Sequence, residues 1–585
     1  LGKNVTNNDD PGVPDPAAAA GLSGDGIRYA GLMPNAEETR RLSQDFLKRL
    51  AAFSYKKRAP YAWVLFVGGT GTGKSTLFNA FCGKPLSQTG VERPKTQGPV
   101  VYAHHGCAIE KGFPFRSIRL ERRSSTDESG GPLGGWPGDL LILEHCREEW
   151  SHLVVVDTPD LDSVEARNRE ITEDLYLLSD VVVFVASQEK YADEIPHRFL
   201  SRAIREQTPN FFLLNKVDKC LAEEVLGTLA SQGIPLEKDR LWRIPYLPAG
   251  IEEGIAGDPD FRSFVVALSR EILTGDVTGF REKHLKRRAR DLEVRLNRLL
   301  TVLEEEEEAS RKWLARLEAV YQRASHDLIK RETERFMSES RGHVRAEIRR
   351  LFARYDVLAG PRRFIRAVVL APFRLFGLLE EKAQKDTQGS LLKVRDHVDL
   401  TVVETAIERF SRLVLEELSP PDAHSPLFSA LREPGVVLDD GEIRQRITQA
   451  QDRLAQWLQQ TFQKLVQGIP KSKEWGLYST SVLWGILIVV FEIVVGGGFS
   501  VLDAVLDSAI APFVTKGSVE LFAYHEIQQI GRELASRYRD GLLDVVREQR
   551  DRYQTCLEAL MTPEETLQSL KEMRTALASE AGDGT

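Results

Sequence analysis

Cysteine is scarce in this chain. The five in 585 residues, Cys82, Cys107, Cys146, Cys220 and Cys556, are scattered without metal-ligand spacing or the even framework of a disulfide scaffold, and they read as reduced thiols. A surplus of positive charge is lacking too. The formal net charge of −8 argues against a general nucleic-acid binder, so no specific nucleic acid is expected as a partner. Residues 1–35 carry Pro11, Pro14, Pro16, an alanine run at 17–20 and several glycines, with no sustained apolar core; they read as a disordered lead rather than a secretory signal. A cytoplasmic chain is expected. With 42% hydrophobic and 28% charged residues, it is globular and long enough for several cores.

What is present is decisive at residues 64–76. An apolar run beginning at Val64 leads directly into Gly68-Gly-Thr-Gly-Thr-Gly-Lys-Ser75, of the form G-x-x-x-x-G-K-[ST]. Gly68, Gly71 and Gly73 let backbone N–H groups turn inward around a polyphosphate, Lys74 is placed for the β- and γ-phosphates, and Ser75 is a ligand for Mg²⁺. Thr76 opens a helix whose N-terminal dipole faces the phosphates. Buried-strand runs follow at 153–157, 181–185 and 211–214. The first ends in Asp157, suited to the Mg²⁺ hydration shell, and the last delivers Asn215-Lys-Val-Asp218, where open α/β sheets bind ligands. A carboxylate at Asp218 accepts from both N1–H and the exocyclic amine of guanine, a donor pair adenine lacks, while Asn215 and the Lys216 stem brace the loop and the ring. The expected nucleotide is GTP. Thr96, in the stretch 92–96, is the candidate loop threonine that closes on Mg²⁺ when the γ-phosphate is present.

On these motifs the chain resembles the TRAFAC-class P-loop GTPases, and most nearly the dynamin-like large GTPases of bacterial type, over about residues 60–250. The resemblance implies GTP hydrolysis with Mg²⁺ and self-association through the G domain or stalk. Three positions depart from the pattern. Asp160 stands where family members usually have glycine, Leu161 where small signalling GTPases carry the water-orienting glutamine, and Gly71 where dynamin-like proteins use a serine. A backbone carbonyl, a monovalent cation or a partner protomer is then expected to complete the hydrolytic site.

The expected fold is an α/β P-loop GTPase domain, with a mostly parallel sheet and helices on both faces, followed by an elongated all-α helical bundle or stalk. The division expected is a disordered segment at 1–35, a helix at 36–58 joining stalk or G domain, the G domain at 60–275, and the helical region at 276–585. Residues 123–139 read as an exposed loop. Leu285, Ala289, Leu292, Leu296, Leu299 and Leu303 recur at spacings of 4 and 3, and Trp313, Leu317, Val320 and Ala324 resume the phase, which predicts one long helix over 283–353. The acidic run 304–308 reads as a solvated face, and further helices are expected at 391–418, 442–466 and 519–574.

Two helical-region segments point to membrane lipid. Residues 361–379 hold Arg362, Arg363, Arg366 and Arg374 among Phe364, Phe373 and Phe376 with no acidic residue, as an interfacial helix does. Residues 475–514 are strongly apolar, and 482–502 alone is long enough to span a bilayer, as a transmembrane segment or, turned at Gly496-Gly-Gly498, a re-entrant hairpin. The hairpin resembles the membrane-inserting tip of bacterial dynamin-like proteins. The alternatives are a soluble GTPase switch or scaffold, or a ribosome-assembly GTPase, whose apolar helices are bundle core.

Overall fold

Runs that are apolar at every position form strands covered on both faces, and they build the core of one of the chain's two units. The computed structural model describes residues 26–34, 36–89, 98–124, 136, 138–162, 166–187, 194–217, 222–231, 233–234, 236–246, 251–273, 277–354, 401–467 and 518–582. After helix α1 (Ala36–Arg58), strand β1 (Ala62–Gly68) runs into α2 (Lys74–Cys82). Then follow β2 (Val100–His104), β3 (Arg119–Ser124), β4 (Asp139–His145), β5 (Leu153–Asp157), α3 (Ala166–Tyr176), β6 (Val181–Ser187), α4 (Glu194–Arg205), β7 (Asn210–Val217), α5 (Ala222–Ser231), β8 (Leu241–Pro245), α6 (Ile251–Gly257) and α7 (Pro259–Leu273). β1, β5 and β6 are buried at every position.

The eight strands form one sheet in the order β3-β4-β2-β5-β1-β6-β7-β8. β1 pairs in parallel with β5 and β6, and β6 with β7, so the carboxyl ends of these four strands share one edge. Only the β2–β5 pairing is antiparallel within this sheet. One face buries Trp63, Leu65 and Phe212, and the other Phe66, Phe78 and Phe211. Each such side chain contributes roughly 1.5 to 3 kcal/mol on burial. Strand β3, Arg-Leu-Glu-Arg-Arg-Ser, is a charged edge with no apolar run to announce it, and charge there blunts pairing with other chains.

Four of the strands, β2, β3, β4 and β8, lie outside the runs read from the sequence. Within the stretch expected as a loop at 123–139, β3 extends to Ser124, β4 begins at Asp139, and Trp136 is exposed. The long helix is present as α8 (Val277–Arg354). It is followed by α9 (Thr401–Glu417), α10 (Pro426–Ala430), α11 (Asp440–Gln467), α12 (Ser518–Glu558) and α13 (Glu564–Ala581). The single helix expected at 519–574 is therefore two. Pro563 at the N-cap of α13 has no N–H to continue the preceding ladder, and its ring sterics turn the chain.

Two compact units divide the chain. One comprises Leu1–Arg28, Glu37–Glu304 and Thr562–Thr585, and the other Tyr29–Ala36 and Glu305–Met561. In the first, the α1 residues Phe46, Leu50 and Phe53 pack with Leu292, Leu296 and Leu299 of α8 and Leu570 of α13, while Ala52 and Tyr55 join the sheet core. The helix at 36–58 thus packs both on the sheet and on α8 and α13 within this unit. In the second unit Trp313, Leu317 and Val320 pack with Phe410 of α9 and Tyr553 of α12. The acidic run 304–308 is not wholly solvated: Glu306 is buried and accepts from the backbone N–H groups of Leu32 and Met33 at 3.2 and 2.8 Å.

A polar knot fastens the sheet to α1 and α8. Glu206, just past α4, accepts from Arg49 at 2.7 Å, Arg295 at 2.9 Å and the Tyr176 hydroxyl at 2.8 Å. Burial pushes its carboxyl pKa up, but the Arg49 and Arg202 guanidiniums outweigh this and hold it below the usual glutamate value. The stability this gives is fully present above the ordinary glutamate range and is lost as pH falls through the depressed value. Glu206→Ala, which takes one carboxylate from Arg49, Arg295 and Arg202 while leaving each another acidic partner, is expected to cost roughly 1.5 to 3 kcal/mol, the scale of a hydrogen bond to a charged group. Denaturant titrations at pH 7 and at about pH 3 check this. The mutant's deficit should shrink at the lower pH.

Candidate functional site: a phosphate loop braced by the guanine motif

The phosphate loop leaves β1 at the shared edge and enters α2 at Lys74. Two glycines are required by position. A Cβ on Gly68 would lie 2.3 Å from the Val185 carbonyl of β6, and Gly73 combines φ 88° with a Cβ position 2.2 Å from Asn215 Nδ2. Gly71 also sits at positive φ, 75°. Ser75 and Thr76 occupy the first turn of α2, both half-buried. Their backbone N–H groups stand at a helix N-terminus, where partial positive charge favours phosphate.

Lys74 is buried. Its ammonium donates to Asp157 Oδ1 at 3.0 Å and lies 3.7 Å from Asp160 Oδ1. Burial pushes the ammonium's pKa down, but Asp157 and Asp160 outweigh it and hold the group above its usual value, so it is charged at neutral pH. Asp157, at the end of β5, is fully buried, and its Oδ2 accepts from Ser87 Oγ at 2.6 Å. The segment after it is tied back to β1: Thr158 Oγ1 donates to the Phe66 carbonyl at 2.9 Å, and the Leu161 N–H to the Gly68 carbonyl at 3.1 Å. Leu161 is buried in the sheet core and brings no polar side-chain atom.

The first two residues of the guanine motif hold the loop from the other side. Asn215 Nδ2 donates to the Thr72 carbonyl at 2.8 Å and Lys216 Nζ to the Gly71 carbonyl at 2.7 Å. The β7–β8 register shifts between Leu214 and Val217, and Lys216 takes φ 57°, a conformation a lysine adopts only at an energetic cost. The structure thus brings Gly68, Gly71, Gly73, Lys74, Ser75, Thr76, Asp157, Asn215 and Lys216 to one edge. Asp218 and Thr96 lie outside the described residues, as do residues 247–250 beyond β8.

Sequence reasoning missed three groups here. Ser87 sits in Lys-Pro-Leu-Ser, which carries no motif, and Asn79, which brackets it, looks like any polar residue of a helix. Asp162, whose Oδ1 accepts from both the N–H and the hydroxyl of Thr70 at 2.6 Å, was signalled only by the repetition of aspartate at 157, 160 and 162.

Residues 64–217, the span holding this whole constellation, match the model of the Dynamin family. These residues form a dynamin-like domain. A relative of the chain is the uncharacterized protein in the xynA 3′ region of Caldicellulosiruptor sp. (strain Rt8B.4), 27% identical over 210 residues, covering 32% of this chain and 48% of that one. The chain thus spans about half the length of the curated relative it matches. Among solved structures, two of an oligomerised bacterial dynamin pair, described as providing a mechanism for long-range sensing and tethering of membranes, are similar. They align at TM-scores of 0.28 and 0.27 with 14% and 16% identity, each over 66% of this chain and 77% of the other.

Gly73→Ala tests the bracing. The added methyl must displace Asn215 and adopt a left-handed backbone, so affinity for GTP and GDP should fall together, by at least tenfold, with a lowered melting temperature. Calorimetric titration with both nucleotides checks the expected outcome.

Proposed function

We propose that the chain binds and hydrolyses GTP with Mg²⁺ and that its helical region brings it to membranes. The observation that carries the nucleotide reading is the double brace from Asn215 and Lys216 to the phosphate loop, which links the strand end expected to read guanine to the loop expected to hold phosphate. The dynamin family is a family of GTPases, which supports the same reading.

Lys74 shifts its ammonium from two carboxylates to the β- and γ-phosphates, a more negative partner at the same position. The amides of the loop and of the first turn of α2 fix the phosphate chain, and Asp218 selects the base. Ser75 and Asp157 offer the all-oxygen donor set that suits Mg²⁺, with Thr96 as a third oxygen from the loop at 92–96. When bound there, the ion neutralises charge on the β- and γ-phosphate oxygens. Attack on the γ-phosphate is by water in line. Since the Leu161 side chain is buried and apolar, that water is oriented by a backbone carbonyl, a monovalent cation or a second protomer, and where a second protomer does so turnover per chain rises with protein concentration.

The membrane reading rests on the sequences at 361–379 and 475–514, which lie outside the described residues. Among the described residues no helix is long and apolar enough to cross a membrane. The bacterial dynamin pair is described as oligomerised and as sensing and tethering membranes; for this chain, self-association and membrane contact are part of the present proposal.

Asp218→Asn tests the base assignment: GTP should weaken by about 1 to 3 kcal/mol, the scale of an unpaired buried donor, while xanthosine triphosphate improves. Unchanged GTP affinity in direct titration contradicts it. Aspartates at Ile486, Val489 and Val490 test the membrane part. Each costs roughly 2.5 to 3.5 kcal/mol at bilayer depth, so the triple variant should cease to float with anionic liposomes while still binding GTP. A parent chain that does not float under any nucleotide condition contradicts membrane association.

A further inference from the structure

We propose that Ser87 is a positioning residue for the Mg²⁺ site, acting through Asp157. The inference rests on the GTPase reading above and extends it to a residue that no motif marks.

The geometry is a chain of hydrogen bonds that starts and ends on α2, running from Asn79 through Ser87 and Asp157 to Lys74. Ser87 is 1% exposed, and its hydroxyl donates to Asp157 Oδ2 at 2.6 Å. Its own backbone is clamped at both ends by one side chain: its N–H donates to Asn79 Oδ1 at 2.9 Å, and its carbonyl accepts from Asn79 Nδ2 at 2.9 Å. The Leu86 N–H donates to the same Asn79 oxygen at 3.1 Å. Asn79 is itself 1% exposed and sits on α2, the helix whose first turn carries Lys74 and Ser75. The serine hydroxyl is therefore not a loop group that happens to touch a carboxylate. Its position is set by the same helix that presents the phosphate-binding lysine and the metal-binding serine.

A hydroxyl has one proton to donate, and here it goes to Asp157. With Oδ2 on Ser87 and Oδ1 on Lys74, the plane of the carboxylate is fixed from two directions. With Lys74 engaged by phosphate, the Ser87 bond would be the described contact that still orients the carboxylate, leaving Oδ1 to serve the metal's water shell. Groups that orient a metal-binding carboxylate in this way typically change metal affinity 10- to 100-fold when removed. A simpler role is open to Ser87, since any fully buried carboxylate needs donors to offset its lost hydration. That role predicts lower stability, whereas positioning predicts a changed response to Mg²⁺.

The experiment uses the full chain and measures GTP binding across a Mg²⁺ titration, with GDP binding in EDTA as the metal-free reference. Ser87→Ala should raise the Mg²⁺ concentration for half-maximal GTP binding by about tenfold or more, with GDP affinity in EDTA within about twofold of the parent. Ser87→Thr and Ser87→Val, alike in shape but with and without the hydroxyl, guard against an effect of misfolding. The threonine should keep the parental Mg²⁺ dependence, and the valine should behave as the alanine. A parental Mg²⁺ dependence in Ser87→Ala, or threonine and valine variants that shift equally, overturns the role of Ser87 and leaves the GTPase reading intact. A parent chain that binds no guanine nucleotide overturns instead the reading on which the inference rests.

Discussion

A lysine ammonium buried beside two carboxylates is the constraint around which the nucleotide-binding edge is built. A charge removed from water is tolerated only with opposite charge and hydrogen bonds close by, and Lys74 finds them in Asp157 at 3.0 Å and Asp160 at 3.7 Å. That pairing requires β1 and β5 to end side by side, which their parallel register provides, with Phe66 opposite Asp157. Two links away, β7 ends where Asn215 and Lys216 reach the carbonyls of Thr72 and Gly71. A loop with glycines at four of its six positions, 68, 69, 71 and 73, is otherwise the most mobile kind of backbone, and these tethers give it one shape.

Much of this was legible because it is written locally. The strand, glycine loop and helix occupy consecutive residues, and Asp157 and Asn215 each end an apolar run, so linear pattern and spatial position coincide. Ser87 and Asn79 were illegible for the opposite reason. Their value depends on a contact across 70 residues, from Ser87 to Asp157, and a serine in a loop carries no trace of it. Asp162 belongs to the same class, although its neighbours at 157 and 160 hinted that carboxylates accumulate here.

In the helical part, periodicity gave length better than it gave partners. The spacing of Leu285 to Ala324 does run in one phase along α8, yet its first half packs with α1 and α13 and its second half with α9 and α12. A heptad pattern states which face is apolar, not what covers it. The split of the last helix at Pro563 was signalled by that proline, and the burial of Glu306 was not signalled at all, since a run of five glutamates reads as solvated until three backbone N–H groups, those of Gly31, Leu32 and Met33, are found facing one of them. Burial pushes the Glu306 carboxyl up, and those three N–H groups pull against it.

If the braced loop holds a guanine nucleotide through phosphate and base together, the most direct measurement is competitive titration of the purified chain with GTP and ATP at fixed Mg²⁺, both against a fluorescent GDP. GTP should displace it at a concentration at least a hundredfold below that needed for ATP, since adenine offers no donor pair to Asp218. Equal displacement by the two would contradict that mode of binding.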